Sequence, residues 1–268
     1  MKVISHASLW RRVMRNVGRQ LFRIAENNDD PQMKANGELW LMRKLMMEHR
    51  ADGRGRPFAV IDGGANRGDY SRSVFRCARE LGVEVEVHAF EPAPACVTEL
   101  RTVFSGEPAF RLTGSGLSDL AGEAVLYDGR DGSSQASLVH RLEHSQDPTA
   151  TITVPLIRLG DYFAANAVKR IDLLKLDIEG YELPALRGLG EQLRPEVVDV
   201  VQFEYGGAAL DAGTTLRDLY RLLSGRGFLL AKLFPRALEV REYRVWMEHY
   251  CYANYIAISP RWFSNRPQ

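Results

Sequence analysis

Phe58-Ala59-Val60-Ile61-Asp62-Gly63-Gly64-Ala65-Asn66-Arg67-Gly68-Asp69-Tyr70 is an apolar run that stops at an acid and opens into a glycine-rich turn. Four consecutive apolar residues predict a short strand buried on both faces, as in a parallel sheet. The glycines that follow have no Cβ to hold a ligand away from the backbone. From Tyr70 to Leu81 the pattern becomes helical, so free backbone N–H groups are expected at a helix N-terminus, the geometry of a nucleotide site.

Downstream, strand and helix patterns alternate as they do in a doubly wound sheet. Glu84 to Phe90 reads as a second strand ending at Glu91-Pro92, Ala93 to Phe104 as a helix, and Ala109 to Thr113 as a third strand followed by Gly114 to Asp119. Gly122 to Tyr127 and Thr151 to Ile157 are extended segments on either side of the polar stretch Asp128 to Pro148. Ile171 to Leu176 and Val197 to Phe203 are core strands ending at Asp177 and Glu204. Thr214 to Arg226 is a helix, and Phe228 to Phe234 and Tyr252 to Ile258 close the sheet. Asp62, Glu91, Asp177 and Glu204 thus share an address, the carboxyl ends of strands, which line the ligand crevice of an open parallel sheet.

The chain has 268 residues, 45% hydrophobic and 26% charged, enough to bury a full core in one large α/β domain. A formal charge of +1 offers no overall basic footprint, so no nucleic-acid partner is expected. Cys77, Cys96 and Cys251 are odd in number and lack metal-ligand spacing, which points to a reducing compartment. With no membrane-spanning apolar window and no continuous signal core, the expectation is a soluble, cytoplasmic protein.

The N-terminus has its own pattern. Leu9, Trp10, Val13, Met14, Val17, Leu21 and Phe22 recur at helical spacing, with Arg11, Arg12, Arg15, Arg19 and Arg23 between them. Through residue 25 the chain carries one Lys, five Arg and no acid. Such a helix packs its stripe on its own domain or a sister subunit, or makes peripheral contact with an anionic membrane surface. A second helix runs from Gly37 to Arg50, and Ala51 to Pro57 breaks the pattern. Residues 1–57 are therefore read as a helical extension and 58–268 as the main domain.

The turn is not a dinucleotide motif. Gly63-Gly64-Ala65-Asn66-Arg67-Gly68 departs from G-x-G-x-x-G, and no Gly-Lys-Ser or Gly-Lys-Thr follows to make a P-loop. What remains is the arrangement expected for S-adenosylmethionine: a glycine turn beside the methionine portion and an acid ending the second strand. Glu91 stands 29 residues after Asp62 and its carboxylate can accept two hydrogen bonds from a ribose diol. Asp119 is read as an adenine contact or an N-cap.

Asp62 to Gly68, Phe90-Glu91-Pro92, Gly116-Leu117-Ser118-Asp119, Lys175-Leu176-Asp177-Ile178-Glu179-Gly180-Tyr181-Glu182 and Phe203-Glu204 together resemble the FkbM family of S-adenosylmethionine-dependent methyltransferases. The resemblance runs from about Phe58 to Glu204, with a weaker echo at Asn254 to Ile258, and leaves the first fifty residues outside. It implies the Rossmann-like class I methyltransferase fold, a mostly parallel seven-stranded sheet with an antiparallel last strand. It also implies methylation of a hydroxyl on a sugar, glycan or natural product. The expected cofactor-binding set is Asp62, Gly63, Gly64, Ala65, Asn66, Gly68, Tyr70, Glu91, Pro92, Ser118, Asp119 and Asp177.

Methyl transfer to an alcohol is an in-line displacement that needs a base or a metal to activate the acceptor oxygen. Asp177 is assigned to the cofactor and acceptor junction, with Glu179 or Glu204 positioning or deprotonating the acceptor. Clustered carboxylates repel, so either one pKa is raised or a cation such as Mg²⁺ sits between Asp177 and Glu204. Glu182 reads as a first-turn helix acid. Ser134, Ser137, His140 and His144 lie in the polar stretch, where the serines are candidate ligand contacts and the histidines alternative bases or solvated side chains. Tyr243, Trp246 and Tyr250 form either a sugar platform or the packing of a closing hairpin. Two other functions are weighed: a small-molecule N-methyltransferase and a catalytically silent cofactor-binding interaction module. A homo-oligomer is compatible with all of them.

Overall fold

A computed structural model describes residues 8–127, 136–140 and 151–264. Its strands are β1 (Phe58–Gly63), β2 (Val85–Phe90), β3 (Phe110–Thr113), β4 (Gly116–Leu117), β5 (Gly122–Tyr127), β6 (Thr151–Ile157), β7 (Ile171–Leu176), β8 (Val198–Tyr205), β9 (Leu229–Phe234), β10 (Ala237–Val240) and β11 (Ala253–Ile258). Its helices are α1 (Leu9–Ala25), α2 (Glu38–Ala51), α3 (Asp69–Leu81), α4 (Pro94–Val103), α5 (Leu159–Ala165), α6 (Glu182–Gly188), α7 (Gly207–Asp211), α8 (Leu216–Gly225) and α9 (Arg261–Ser264).

The main sheet has the order β10-β9-β11-β8-β7-β1-β2-β3. The strands β3, β2, β1, β7 and β8 run parallel, and β11 is antiparallel to both its neighbours. This is the expected class I methyltransferase sheet with one addition. β10 turns back on β9 at the edge, giving eight strands rather than seven, from a segment of four mostly exposed residues too short to read as a strand. β5 and β6 do not join the main sheet; with β4 they form a separate three-stranded sheet.

Strands β1, β7 and β11 are buried throughout their length, as their mostly apolar sequences favour. Alternate residues face opposite layers. Val60, Leu173, Val200 and Ile256 meet Leu41, Met42, Leu45 and Met46 of α2 and Val74 and Phe75 of α3. Ile61, Leu174, Val201 and Ala257 meet Phe163 of α5, Leu183 and Leu186 of α6 and Leu219 and Leu223 of α8. α2 thus lies inside the first of these layers.

The chain order reverses between β1 and β7. At such a switch point the loops after adjacent strands diverge to opposite faces, which opens a crevice at their carboxyl ends. The far end of the sheet is closed by ion pairs instead: Asp172 and Asp199 take Arg54, Arg56, Arg170 and Arg261.

Candidate functional site

Two cavities flank the carboxyl ends of β1 and β7. The first encloses about 560 Å³ and is walled by Glu91, Pro92, Ser115, Gly116 and the apolar side chains of Leu117, Leu126, Leu138 and Ile178. The second encloses about 1300 Å³ and is walled by Glu38, Tyr70, Lys175, Glu204, Gly206 to Ala208 and Tyr252. Gly64, Asn66, Asp177 and Glu179 belong to both, so the cavities meet there.

The glycine turn is shaped by contact rather than by donors. Gly64 has φ +81, and a Cβ there would sit 1.9 Å from the Asp177 carbonyl oxygen. The N–H groups of Gly64 and Ala65 both donate to the Phe90 carbonyl at 3.0 Å, and that of Gly68 to Ala65 at 2.8 Å. Asn66 N–H donates to Glu91 Oε2 at 2.8 Å. The free N–H groups expected from the sequence are thus spent, at these four positions, on tying the turn to the end of β2.

Glu91 accepts a second N–H, from Ala93 to Oε1 at 2.8 Å, and burial pushes its carboxyl up. Two of the roughly four acceptor sites of a carboxylate are then in use, leaving the others for a diol. An apolar wall, one buried acid and a close-packed glycine turn fit S-adenosylmethionine.

The Methyltransferase FkbM domain family matches residues 62–230. The chain belongs to the FkbM methyltransferase family. It is 29% identical over 192 residues to Methyltransferase 1 of Beauveria bassiana, covering 64% of this chain and 72% of that protein. It is likewise 29% identical over 195 residues to 31-O-demethyl-FK506 methyltransferase FkbM of Streptomyces tacrolimicus, covering 63% and 72%. An FkbM methyltransferase structure from Methylobacillus flagellatus KT aligns with a TM-score of 0.48 and 15% identity, over 75% of this chain and 43% of its own. The chain is therefore an S-adenosylmethionine-dependent methyltransferase.

In this FkbM chain the carboxylate cluster carries its own cation. Lys175 is buried, with Nζ 3.1 Å from Asp177 Oδ2, 3.6 Å from Asp62 Oδ1 and 4.8 Å from the Tyr70 ring centre. Burial alone would lower the Lys175 pKa, but Asp177, Asp62 and Glu38 together raise it well above the ordinary value. Burial pushes Glu204 well above the carboxylate range, aided by the charge of Asp177 and a hydrogen bond to it. Burial also works to raise Asp177, yet Lys175 and the Glu204 hydrogen bond outweigh it and hold Asp177 low. Of this hydrogen-bonded pair, Glu204 is pushed toward its neutral form and Asp177 toward its ionised form.

That arrangement does not fit a divalent cation between Asp177 and Glu204. An ammonium already faces Asp177, the Glu204 carboxyl is pushed toward its neutral form, and no cluster of three or more His, Cys, Asp or Glu that could hold a metal occurs among the described residues.

Glu179 lies at the cavity junction with φ +53, a backbone region that costs a non-glycine residue about 1–3 kcal/mol. Its carbonyl accepts from the buried Ser137 hydroxyl at 2.8 Å. Next to it Gly180 has φ +100, and a Cβ would meet the Ala208 carbonyl oxygen at 2.5 Å. Glu182 closes the turn from within, accepting from Ile178 N–H at 3.1 Å and Gly180 N–H at 3.3 Å.

Burial pushes Glu182 from 4.5 up to about 7. A folded value above the unfolded one means that the stability it contributes is full below about 4.5 and is lost as pH rises through about 7. The loss amounts to about 3 kcal/mol. Glu182→Gln keeps an oxygen acceptor without the charge, so its melting temperature should equal that of the parent at pH 5 and exceed it at pH 8.5. Parallel melting curves across that range would refute the assignment.

Other expected residues fall elsewhere. Asp62 is completely buried, takes the Ser71 hydroxyl at 2.6 Å and faces Lys175, lining neither cavity. Gly63 and Gly68 also line neither. Ser118 is buried and donates to Asp119 at 3.2 Å; the first cavity is walled there by Ser115, Gly116 and Leu117 instead. His140 is exposed, edge-on to Tyr127. Ser134 and His144 lie outside the described residues. Tyr243 and Tyr250 pack on Tyr220 and Tyr205, so they serve the closing hairpin rather than a platform.

Lys175, Glu38 and Tyr252 were missed. Lys175 had a signal, since a lysine inside the apolar run Ile171 to Leu176 must find an acid partner once buried. Glu38 and Tyr252 had none, because they reach the cavity from α2 and from the start of β11.

Proposed function

We propose that this methyltransferase transfers the methyl group to a hydroxyl of a sugar, glycan or natural-product acceptor. The observation that carries the reading is the junction of the two cavities, where Glu179 borders both the wall with Glu91 and the wall with Asp177 and Glu204. S-adenosylmethionine, when bound, supplies an electrophilic sulfonium methyl. Glu91, Gly64 and Asn66 would hold it in the smaller cavity, with Pro92 and the apolar wall around its base.

The remaining residues act on the acceptor. Glu204, hydrogen-bonded to Asp177, and Asp177, held in turn by Lys175, shape the acceptor side of the junction. Glu179 is then the carboxylate assigned to take the hydroxyl proton as the oxygen attacks. An acceptor base is a requirement of alcohols; an amine that arrives neutral has none. The name 31-O-demethyl-FK506 methyltransferase, borne by a relative, likewise denotes a natural product lacking an O-methyl group.

The test is incubation with isotopically labelled S-adenosylmethionine and a panel of saccharide, polyketide and amine acceptors, followed by NMR of the product. A new O-methyl resonance is expected. Methylation of amines alone would favour the nitrogen reading, and cofactor binding without any product would favour a silent module. Glu91→Ala removes the diol acceptor and frees the Asn66 and Ala93 N–H groups. It should weaken S-adenosylmethionine binding by about 100-fold in calorimetry, since hydrogen bonds to a charged group contribute about 1.5–3 kcal/mol each.

A further inference from the structure

Helix α1 turns its apolar stripe to solvent. Leu9, Trp10, Leu21 and Ile24 are 76%, 70%, 63% and 78% exposed, and Val13, Met14 and Val17 lie between 43% and 50%. At 100° per residue these seven side chains span about 140° of the helix, and the five arginines occupy the opposite side. Among the described residues, the contacts that anchor the helix lie near its end. Phe22 packs edge-on to His249 and Trp246, Arg23 pairs with Asp29 at 2.6 Å and Glu26 with Arg241 at 2.8 Å. Beside that anchor Val245 and Trp246 are 77% and 53% exposed, which extends the apolar surface.

We propose that α1 is an interfacial helix that seats this protein on an anionic lipid bilayer. Charge decides between this occupant and a second copy of the chain. Two α1 helices laid stripe to stripe would cover the apolar side chains but turn all ten arginines outward, and residues 8–25 contain no acid to meet them. Arg11, Arg12, Arg15 and Arg19 form no ion pair with an acid among the described residues. The stripe is also broader than the two-position seam of a paired coil. An anionic surface has the opposite charge, and a helix with a tryptophan-bearing apolar face and an arginine-rich polar face lies in the plane of such an interface.

The full chain should sediment with vesicles of phosphatidylcholine containing about one third phosphatidylglycerol, and not with phosphatidylcholine alone. Binding should fall steeply with salt. Arg12→Gln/Arg15→Gln/Arg19→Gln should weaken it by about 100-fold, and Leu9→Ser/Val13→Ser/Val17→Ser should abolish it. Calorimetric binding of S-adenosylmethionine, unchanged in both variants, establishes that they are folded. Failure of the parent protein to bind anionic vesicles at low salt overturns the proposal. So does a dimer, in sedimentation velocity, that the serine variant dissociates while vesicle binding is absent.

Discussion

Glu179→Gln lowers kcat by about 10²–10⁴-fold and leaves the dissociation constant of S-adenosylmethionine nearly unchanged. The substitution keeps the size of the side chain and the backbone whose carbonyl is tied to Ser137. It removes only the ability to accept a proton. Glu204→Gln should cost less, because an amide N–H replaces the O–H that Glu204 donates to Asp177. His140→Ala should be close to neutral, the ring being exposed. Steady-state kinetics on the three variants, with one acceptor, ranks them. An active Glu179→Gln beside an inactive Glu204→Gln would move the base to Glu204.

Lys175→Met destabilises the fold by about 3–5 kcal/mol, the usual cost of removing one partner from a buried ion pair. For a chain of this size the melting temperature falls by roughly 10 °C. The cost comes from what is left behind: Asp62 fully buried, Asp177 at the cavity junction and Glu38 beside them, with no ammonium among them. Asp62→Asn in the Lys175→Met background should therefore recover part of the loss. Purely additive destabilisation in this double-mutant cycle would show that Lys175 does not neutralise Asp62.

Much of the fold was legible because its signals are local. The run Phe58 to Ile61 between turn residues reads as a buried strand, and the strands that end at Glu91, Asp177 and Glu204 follow the same rule. β10 was not, since Ala237 to Val240 is short, exposed and held by its hairpin with β9. The independence of the β4-β6-β5 sheet was hidden for a related reason: periodicity gives a strand, not its neighbour. The site was legible in outline. Glu91, Gly64, Asn66, Asp177, Glu179 and Glu204 do border the cavities, whereas Asp62 lies beneath the surface that the other acids line.

The sequence by itself determined the type of cofactor turn. Gly63 to Gly68 excludes the dinucleotide and P-loop patterns, and Glu91 follows at the distance of one helix and one strand; both are facts of local order along the chain. It also posed an alternative for the clustered carboxylates, a raised pKa or a cation. Only the tertiary structure bears on it: Glu204 is pushed up, and the charge facing Asp177 is the Lys175 ammonium, not Mg²⁺. Asp62, Lys175 and Gln202 stand in one row across β1, β7 and β8, more than a hundred residues apart at its ends. That register, invisible in sequence, buries an ammonium beside Asp62 and Asp177, while burial pushes Glu204 toward its neutral form, because a low-dielectric site tolerates neutral groups and close ion pairs but not neighbouring bare charges.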